Sequence, residues 1–396
     1  MTTTQIEPTA RTRHVSLALL ALALGGFAIG TTEFVTMGLL PDVAESIDRS
    51  IPTTGHIISA YALGVVIGAP LIVSMGARMP KRALLLWLLG AIALGNALTA
   101  VASGYLPVLL ARFVAGLPHG AYFGVASLVA ASLVPPGRRG RAVSMVMMGL
   151  SVATVVGVPA STWLGQLSSW RAAYAAVVAI AVVGVVMVLA FVPFVPGDPS
   201  ASIRGELGAL REPAVIAAFL TGLVGFGGLF AMYSYIAPIV TDLVELPERA
   251  IPVFLLAFGI GSVTGTWLAG RLADWDNVRQ VLGGLVATVL VLLGFHELVE
   301  IAAVALVGVF LVGALGSVIA VGLQIRLMTA AGEAEMLGAA LNHASLNIAN
   351  GLGAWLGGLV IAAGAGYAAP ALVGAALATA GLVVFLLGLR WAPVRA

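Results

Sequence analysis

Twelve stretches of this chain stay apolar for about twenty residues at a time. They fall near 14–40, 53–75, 83–102, 105–133, 142–164, 171–194, 214–238, 250–272, 279–296, 300–324, 337–363 and 368–389. A helix rises about 1.5 Å per residue, so each stretch can cross roughly 30 Å of hydrocarbon. At that depth backbone N–H and C=O groups find partners only within the protein, which selects helices; a barrel would show alternating strands of about ten residues instead. Composition agrees. Hydrophobic residues are 60% and charged residues 9% of the 396, with a mean hydropathy of +1.09, more apolar surface than a water-soluble globule can hide. The expected fold is an all-α integral membrane protein of twelve transmembrane helices. The chain has no cysteine, which excludes disulfides, thiol catalysis and cysteine metal sites. No metal or other cofactor is expected.

The basic residues orient the helices. With a cytoplasmic N-terminus, fifteen of the nineteen Lys and Arg fall inside, Arg49, Arg171 and Arg249 fall outside, and Arg112 lies within a helix. The acids split evenly between the two sides, leaving Glu33 alone inside the first span. The expected location is the inner (plasma) membrane, multi-pass, with both termini cytoplasmic. The opening "RTRHVSLALLALALGG" imitates a signal peptide with Ala21-Leu22-Ala23 at the cleavage position, but the apolar run continues to Leu40 and reads as an uncleaved first span.

Laid over itself at an offset of 197 residues, the chain matches Gly30 to Gly227, Pro41 to Pro238, Gly64 to Gly261, Gly68 to Gly265 and Gly116 to Gly313 without a gap. Further on, Trp163-Leu164-Gly165 meets Trp355-Leu356-Gly357 at an offset of 192. The implied organisation is a tail at 1–13, a six-helix bundle at 14–195, a polar linker at 196–213, a second six-helix bundle at 214–389 and a tail at 390–396. Two such halves related by an axis along the membrane normal, with a binding site between them near the midplane, form the architecture of many secondary transporters.

The motifs carry a resemblance. "GTTEFVTMGLLPDVA" in the first span, "RFVAGLPHGAYFG" in the fourth (Arg112, Gly116, His119, Gly120, Gly124), "GVPASTWLG" in the fifth (Gly157, Pro159, Gly165), "GFGGLFAMYSYIAP" in the seventh and "LNHASLNIANGLGAWLGG" in the eleventh are similar to the major facilitator superfamily. They resemble in particular its twelve-span drug:proton antiporter branch, which contains chloramphenicol-resistance and arabinose-export proteins. The resemblance covers the whole chain and implies two pseudo-symmetric six-helix bundles, a coupling role for the Glu of span one and an antiporter motif in span five. Two departures stand out. The family's loop after span two reads Gly-x-Leu-Ala-Asp-Arg-x-Gly-Arg-Lys, whereas "VSMGARMPKR" has Ala77 in the Asp position and keeps Arg78, Lys81 and Arg82. The repeat-related "GRLADW" supplies Gly270, Arg271 and Asp274, so an asymmetric inner gate is expected, with Arg78 and Arg271 as candidate partners of Asp274. Span five has Ser161 where the family usually has Gly.

The chemical candidates are few. A carboxylate at Glu33 is costly in hydrocarbon, and low dielectric favours its neutral form, so it can take up a proton and release it when wetted; the alternative is a permanently neutral packing group. Arg112 cannot deprotonate and needs either Glu33 or backbone carbonyls as its partner. His119, seven residues on, shares its helical face and reads either as part of a proton path or as a packing histidine. His343, Asn347 and Asn350 form one polar stripe, which suits a central cavity or a helix-to-helix contact. Phe27, Met37, Tyr233 and Tyr235 read as pocket walls or as core. "HELVE" at 296–300 lacks the second His of a zinc-protease motif, and no Walker loop or Gly-x-Ser-x-Gly elbow occurs.

The expected activity is proton-coupled export of small amphipathic molecules, with the same machinery exporting a sugar or metabolite as the alternative. A channel, the rival from another class, would want rings of charge or carbonyl-rich loops along a pore, and the chain offers two isolated buried charges. The expected partners are a small-molecule substrate, protons and the lipid bilayer, with no nucleic acid, no ATP and a monomeric chain.

Overall fold

A computed structural model describes residues 8–49, 51–197, 208–247 and 250–391. The expected tails at 1–13 and 390–396 and linker at 196–213 therefore lie partly outside the described residues. Among those described, apolar helices are the dominant element. The N-terminal bundle contains α1 (Pro8–Gly38), α2 (His56–Gly76), α3 (Lys81–Val101), α4 (Tyr105–Ser132), α5 and α6 (Trp170–Phe191). Helix α5 is built from Arg139–Val152, the π turn Ala153–Gly157 and Val158–Leu167. The C-terminal bundle starts with α7 (Pro213–Tyr233), interrupted by a π turn at Gly222–Phe226. The run Ile251–Leu298 follows. At 48 residues it is far too long for one crossing, and it breaks at Asp276 (φ −159°, ψ 101°) into α8 (251–275) and α9 (277–298). Then come α10 (Ala302–Ala330), α11 (Glu335–Ala362) and α12 (Ala369–Trp391).

Two details differ from the apolar runs. The seventh run reads as continuous to Pro238, but the helix breaks after Tyr233 and resumes as Ile236–Pro238 and a π turn at Ile239–Leu243. In α5 the ring of Pro159 removes a ladder donor. The helix absorbs this by one wide turn, in which the Val158 N–H reaches the Ala153 carbonyl five residues back.

The internal repeat reappears as packing. A Cβ on Gly64 would overlap the Phe113 carbonyl oxygen, one on Gly68 the Leu117 oxygen, and one on Gly116 the Tyr61 oxygen. In the other bundle Gly261 meets Phe310, Gly265 meets Ala314 and Gly313 meets Phe258. Each member of the second set is its counterpart plus 197, so α2 on α4 and α8 on α10 are one glycine-lined contact used twice. Outward faces are apolar and exposed, with Leu63, Leu94, Val186 and Leu290 each more than half accessible, as a lipid-facing surface requires.

The bundles meet along α2 and α4 against α11 and along α5 against α8. The cross-bundle polar contacts gather toward one end, the end that carries Arg78, Lys81, Arg82, Arg138, Arg139 and Arg141. Beginning there, Asp274 contacts Gly140 and Arg141, and the Ser144 hydroxyl donates to the Thr266 carbonyl at 2.6 Å. Farther in, Ser127 pairs with Gln324, Ser151 with Thr266 and Ser262, and His119 with His343. At the opposite end the polar contacts of α1 and α2 stay within their own bundle, with Thr36 on Tyr174 and His56 on Tyr105. The molecule is thus sealed at its basic end.

Candidate functional site

Helices α1 and α4 bring Arg112 and Glu33 to the same level. Arg112 is fully buried. Its Nη1 donates to Thr32 Oγ1 at 2.8 Å and its Nη2 to the Thr32 carbonyl at 2.9 Å, while its face covers the Tyr61 ring at 4.4 Å and the Tyr174 ring at 5.4 Å. Thr32 Oγ1 passes its own proton to Asn96 Oδ1 at 2.5 Å. Of the two partners open to Arg112, the structure uses the backbone carbonyl and its hydroxyl. Glu33, one residue on, is half-buried and near enough to feel the guanidinium charge, yet those hydrogen bonds are spent on Thr32. The result is a carboxylate beside a cation that is already braced.

The residues expected to contact substrate have mixed surroundings. Phe27 is half-buried and packs on α5, where a Cβ added to Gly157 would stand 2.9 Å from Phe27 Cζ; Met37 is 45% exposed. Gly165 takes the side chain of Leu39, just past the end of α1, and Pro159 sits on an exposed part of α5. The antiporter-like motif therefore seats α5 on α1. On the other side Tyr233 stacks on Phe258 at 3.9 Å, Asn347 donates to the His343 carbonyl at 3.0 Å, and Asn347 and Asn350 are half-buried. Tyr235, in the break that follows α7, is turned away, its hydroxyl donating to the Ala354 carbonyl of α11 at 2.7 Å.

His343, grouped with the Asn stripe by spacing, is not on the wall. It is buried between two side chains of the other bundle, its Nδ1 3.2 Å from His119 Nε2 and its ring stacked on Phe123 at 4.0 Å. His119 Nδ1 lies 3.0 Å from the Tyr61 hydroxyl, so Arg112, Tyr61, His119 and His343 form one file of contacts leading from the membrane interior to the opposing bundle. The "RFVAGLPHGAYFG" segment divides accordingly. Arg112 and Gly116 face their own bundle; His119, Gly120, Phe123 and Gly124 face α11.

At the basic end Asp274 does hold the bundles together, but not through Arg78 or Arg271. Its Oδ1 accepts from the Gly140 backbone N–H at 2.7 Å and its Oδ2 lies 3.1 Å from Arg141 Nε. A carboxylate at the first turn of α5 matches the positive end of that helix, which has no acid of its own there. Arg271 instead stacks on Trp267 at 3.6 Å. Arg82 donates to the Leu189 carbonyl. Around Ala77 the arrangement is reversed: α11 begins with its own Glu335, and Lys81 Nζ donates to the Ala77 carbonyl at 2.6 Å beside a cleft of about 200 Å³ that Glu333, Glu335 and Met336 complete. The acid missing from the loop is supplied by the helix itself. Gly270 lets Ser144 approach, since its Cβ would stand 2.8 Å from Ser144 Oγ.

Sequence reasoning missed Ser127, Gln324, Asn342 and the hydroxyls of Ser144, Ser151, Ser262 and Thr266. One signal was present for the first two. Gln324 is Ser127 plus 197, and a residue that touches its own repeat mate lies on the pseudo-two-fold axis.

The family described as Major Facilitator Superfamily matches residues 22–341. Among curated relatives, "Inner membrane transport protein YdhP" of Escherichia coli (strain K12) is 37% identical over 96% of this chain and 97% of its own length. "Chloramphenicol resistance protein" of Streptomyces lividans is 35% identical over 89% of this chain and 90% of its own. Among solved structures, FucP, a Major Facilitator Superfamily transporter solved in the outward conformation, superposes with a TM-score of 0.75 over 94% of this chain and 98% of that one, at 18% identity. A membrane fold of two repeated bundles, a buried arginine beside a carboxylate inside the first of them and relatives aligned over nearly their whole length lead to one assignment: the chain belongs to the Major Facilitator Superfamily and is a multi-pass membrane transporter, not an enzyme.

Proposed function

We propose that the chain is a proton-coupled exporter of small amphipathic molecules, with its basic end, both termini and the linker at 196–213 in the cytoplasm. The bundles rock about a midplane site. The observation that carries this reading is the division of labour at Glu33. Arg112 directs its Nη1 and Nη2 donors to Thr32 and makes no hydrogen bond to Glu33 among the described residues, which leaves the carboxyl to exchange a proton with whichever side the cavity faces. Coupling is competition: substrate entering from the cytoplasm favours release of the Glu33 proton inward, and reprotonation from outside expels the substrate. Phe27, Met37 and Tyr233 offer apolar contact and Asn347 and Asn350 offer polar contact, the combination an amphipathic molecule needs. The chloramphenicol resistance protein among the relatives supports a drug-like substrate. The two half-buried asparagines favour a second reading, export of a sugar or metabolite by the same machinery.

Glu33→Gln tests the coupling. It keeps the size and imitates the protonated state, so in proteoliposomes it should fold and bind substrate but fail to accumulate it against a gradient driven by ΔpH, and substrate should no longer evoke proton release. Full proton-driven accumulation by the variant would remove Glu33 from the coupling step. A panel of drugs and sugars in a pump-deficient strain decides between the two substrate readings.

A further inference from the structure

The two buried histidines sit on opposite bundles. His343 of α11 reaches into a slot on α4, with Phe123 flat against it at 13° between ring planes and His119 tilted at 54° with 5.1 Å between centroids. His119 and His343 are 1% and 3% exposed. The slot is cut by glycine: a Cβ at Gly120 would stand 3.2 Å from the Ala340 carbonyl oxygen, and one at Gly124 3.2 Å from Ala340 Cβ. The imidazole contact therefore exists only while α4 and α11 are closed on each other at the basic end.

A hydrogen bond between two imidazoles needs one ring nitrogen with a proton and one without. His119 Nε2 and His343 Nδ1 satisfy this when the pair is neutral, and also when it carries one extra proton. With two extra protons both nitrogens become donors facing each other, the bond is lost and two cations share a buried slot. The surrounding groups do not relieve this. Tyr61 of α2 holds His119 Nδ1 at 3.0 Å. Arg112 of α4 lies over the ring of that tyrosine at 4.4 Å, a further positive charge, and the Glu33 carboxyl of α1 is near the same tyrosine. On the other elements Arg326 of α10 turns to Phe385 at 5.1 Å, Asp274 of α8 is held on α5, and Glu335 stands two turns away at the start of α11. His343 Nε2 has no hydrogen-bond partner in the slot.

We propose that His119 and His343 form a proton-released latch across the bundles: with at most one extra proton the pair ties the basic end shut, and with two it drives that end open. The latch rests on alternating access as proposed above and is independent of Glu33. Once the basic end opens, both rings meet water, so the open form takes up protons more readily than the sealed pair. Acid at the cytoplasmic face then shifts the population toward the open form, and alkaline conditions favour the seal. A single imidazole that titrates only in the open form lowers the sealed-to-open ratio about thirtyfold between pH 8 and pH 5.

The chain has no cysteine, so spin labels can be placed cleanly at Gly137→Cys and Thr329→Cys, two exposed positions at the basic ends of opposite bundles. Electron–electron double resonance in nanodiscs, with the same pH on both faces, reads the two populations. The expected result is a roughly thirtyfold or larger shift with both histidines present and a ratio changing less than threefold in the double variant His119→Asn/His343→Asn, whether that variant rests sealed or open. Glu33→Gln in the same background should keep the shift. A constant ratio in the histidine-bearing chain overturns the latch, as does a full shift that survives in the double histidine variant. A shift abolished by Glu33→Gln alone assigns the pH response to the coupling carboxylate instead. The transport outcome for Glu33→Gln does not move this readout, so the two proposals fail separately.

Discussion

At the scale of single residues the structure changes what Arg112 is for. A guanidinium that donates to both the hydroxyl and the carbonyl of Thr32 is a brace between α1 and α4. Lysine keeps the charge but offers one point of contact where the planar fork supplies two. Arg112→Lys is therefore expected to fold with a lower melting temperature and to transport at least tenfold more slowly. Thr32→Val, which removes the hydroxyl partner of both Arg112 and Asn96, should cost about 1 to 3 kcal/mol of stability. Thermal melting in detergent and initial transport rates check both, and a Thr32→Val protein with wild-type melting and rate would show that the brace is dispensable. The sequence showed that Arg112 must have a partner. It could not show which, because the chosen acceptors are a backbone carbonyl and a neutral hydroxyl, and neither is marked by charge.

At the scale of elements, the helix ends explain the asymmetric gate. Asp274 serves the first turn of α5, and α11 carries Glu335 in its own first turn. Arg141 is 56% exposed in its ion pair with Asp274, so solvent screens that pair and its contribution is small; the Gly140 N–H is the stronger tie. Asp274→Asn keeps an oxygen acceptor for Gly140 and should reduce transport only a few-fold at normal expression, whereas Asp274→Ala loses both contacts and should reduce it much further. Equal rates for the two variants would remove the helix-end argument. That Asp274 reaches a partner at the basic end was legible from its place in the repeat, opposite Ala77. Its partner was not, since a backbone amide leaves no trace in a list of charged side chains. The wide turns in α5 and α7 were hidden for a related reason: Pro159 signals an interruption without saying whether the helix kinks, stops or absorbs an extra residue.

At the scale of the whole molecule, the twelve crossings and the repeat were readable because both depend on patterns that span the chain, namely apolar length and glycine register. Which faces of the two bundles touch was not readable, because a cross-bundle contact joins residues about 110 to 220 positions apart that share no motif, as with Ser151 and Thr266 or His119 and His343. Orientation is the remaining global expectation. Single cysteines at Gly137 and at Ser46 should label oppositely in intact cells, with an impermeant reagent reaching Ser46→Cys from outside and Gly137→Cys only after permeabilisation. The reverse pattern would invert the chain in the membrane.

The contact between Ser127 and Gln324 has a consequence of its own. Two sites that are images of each other under the repeat, and that touch, behave as one site written twice, so trading their side chains leaves the same pair of groups on the axis. Ser127→Gln combined with Gln324→Ser should therefore restore most of the stability that either substitution alone removes. The restoration should fall short by one bond. Asn342, which donates to Gln324 Oε1 at 3.2 Å, has Leu150 as its image at the offset of 192 that relates spans five and eleven, so the relocated glutamine meets an aliphatic side chain where an amide once stood, and that remainder measures how far the two halves have diverged at their shared centre.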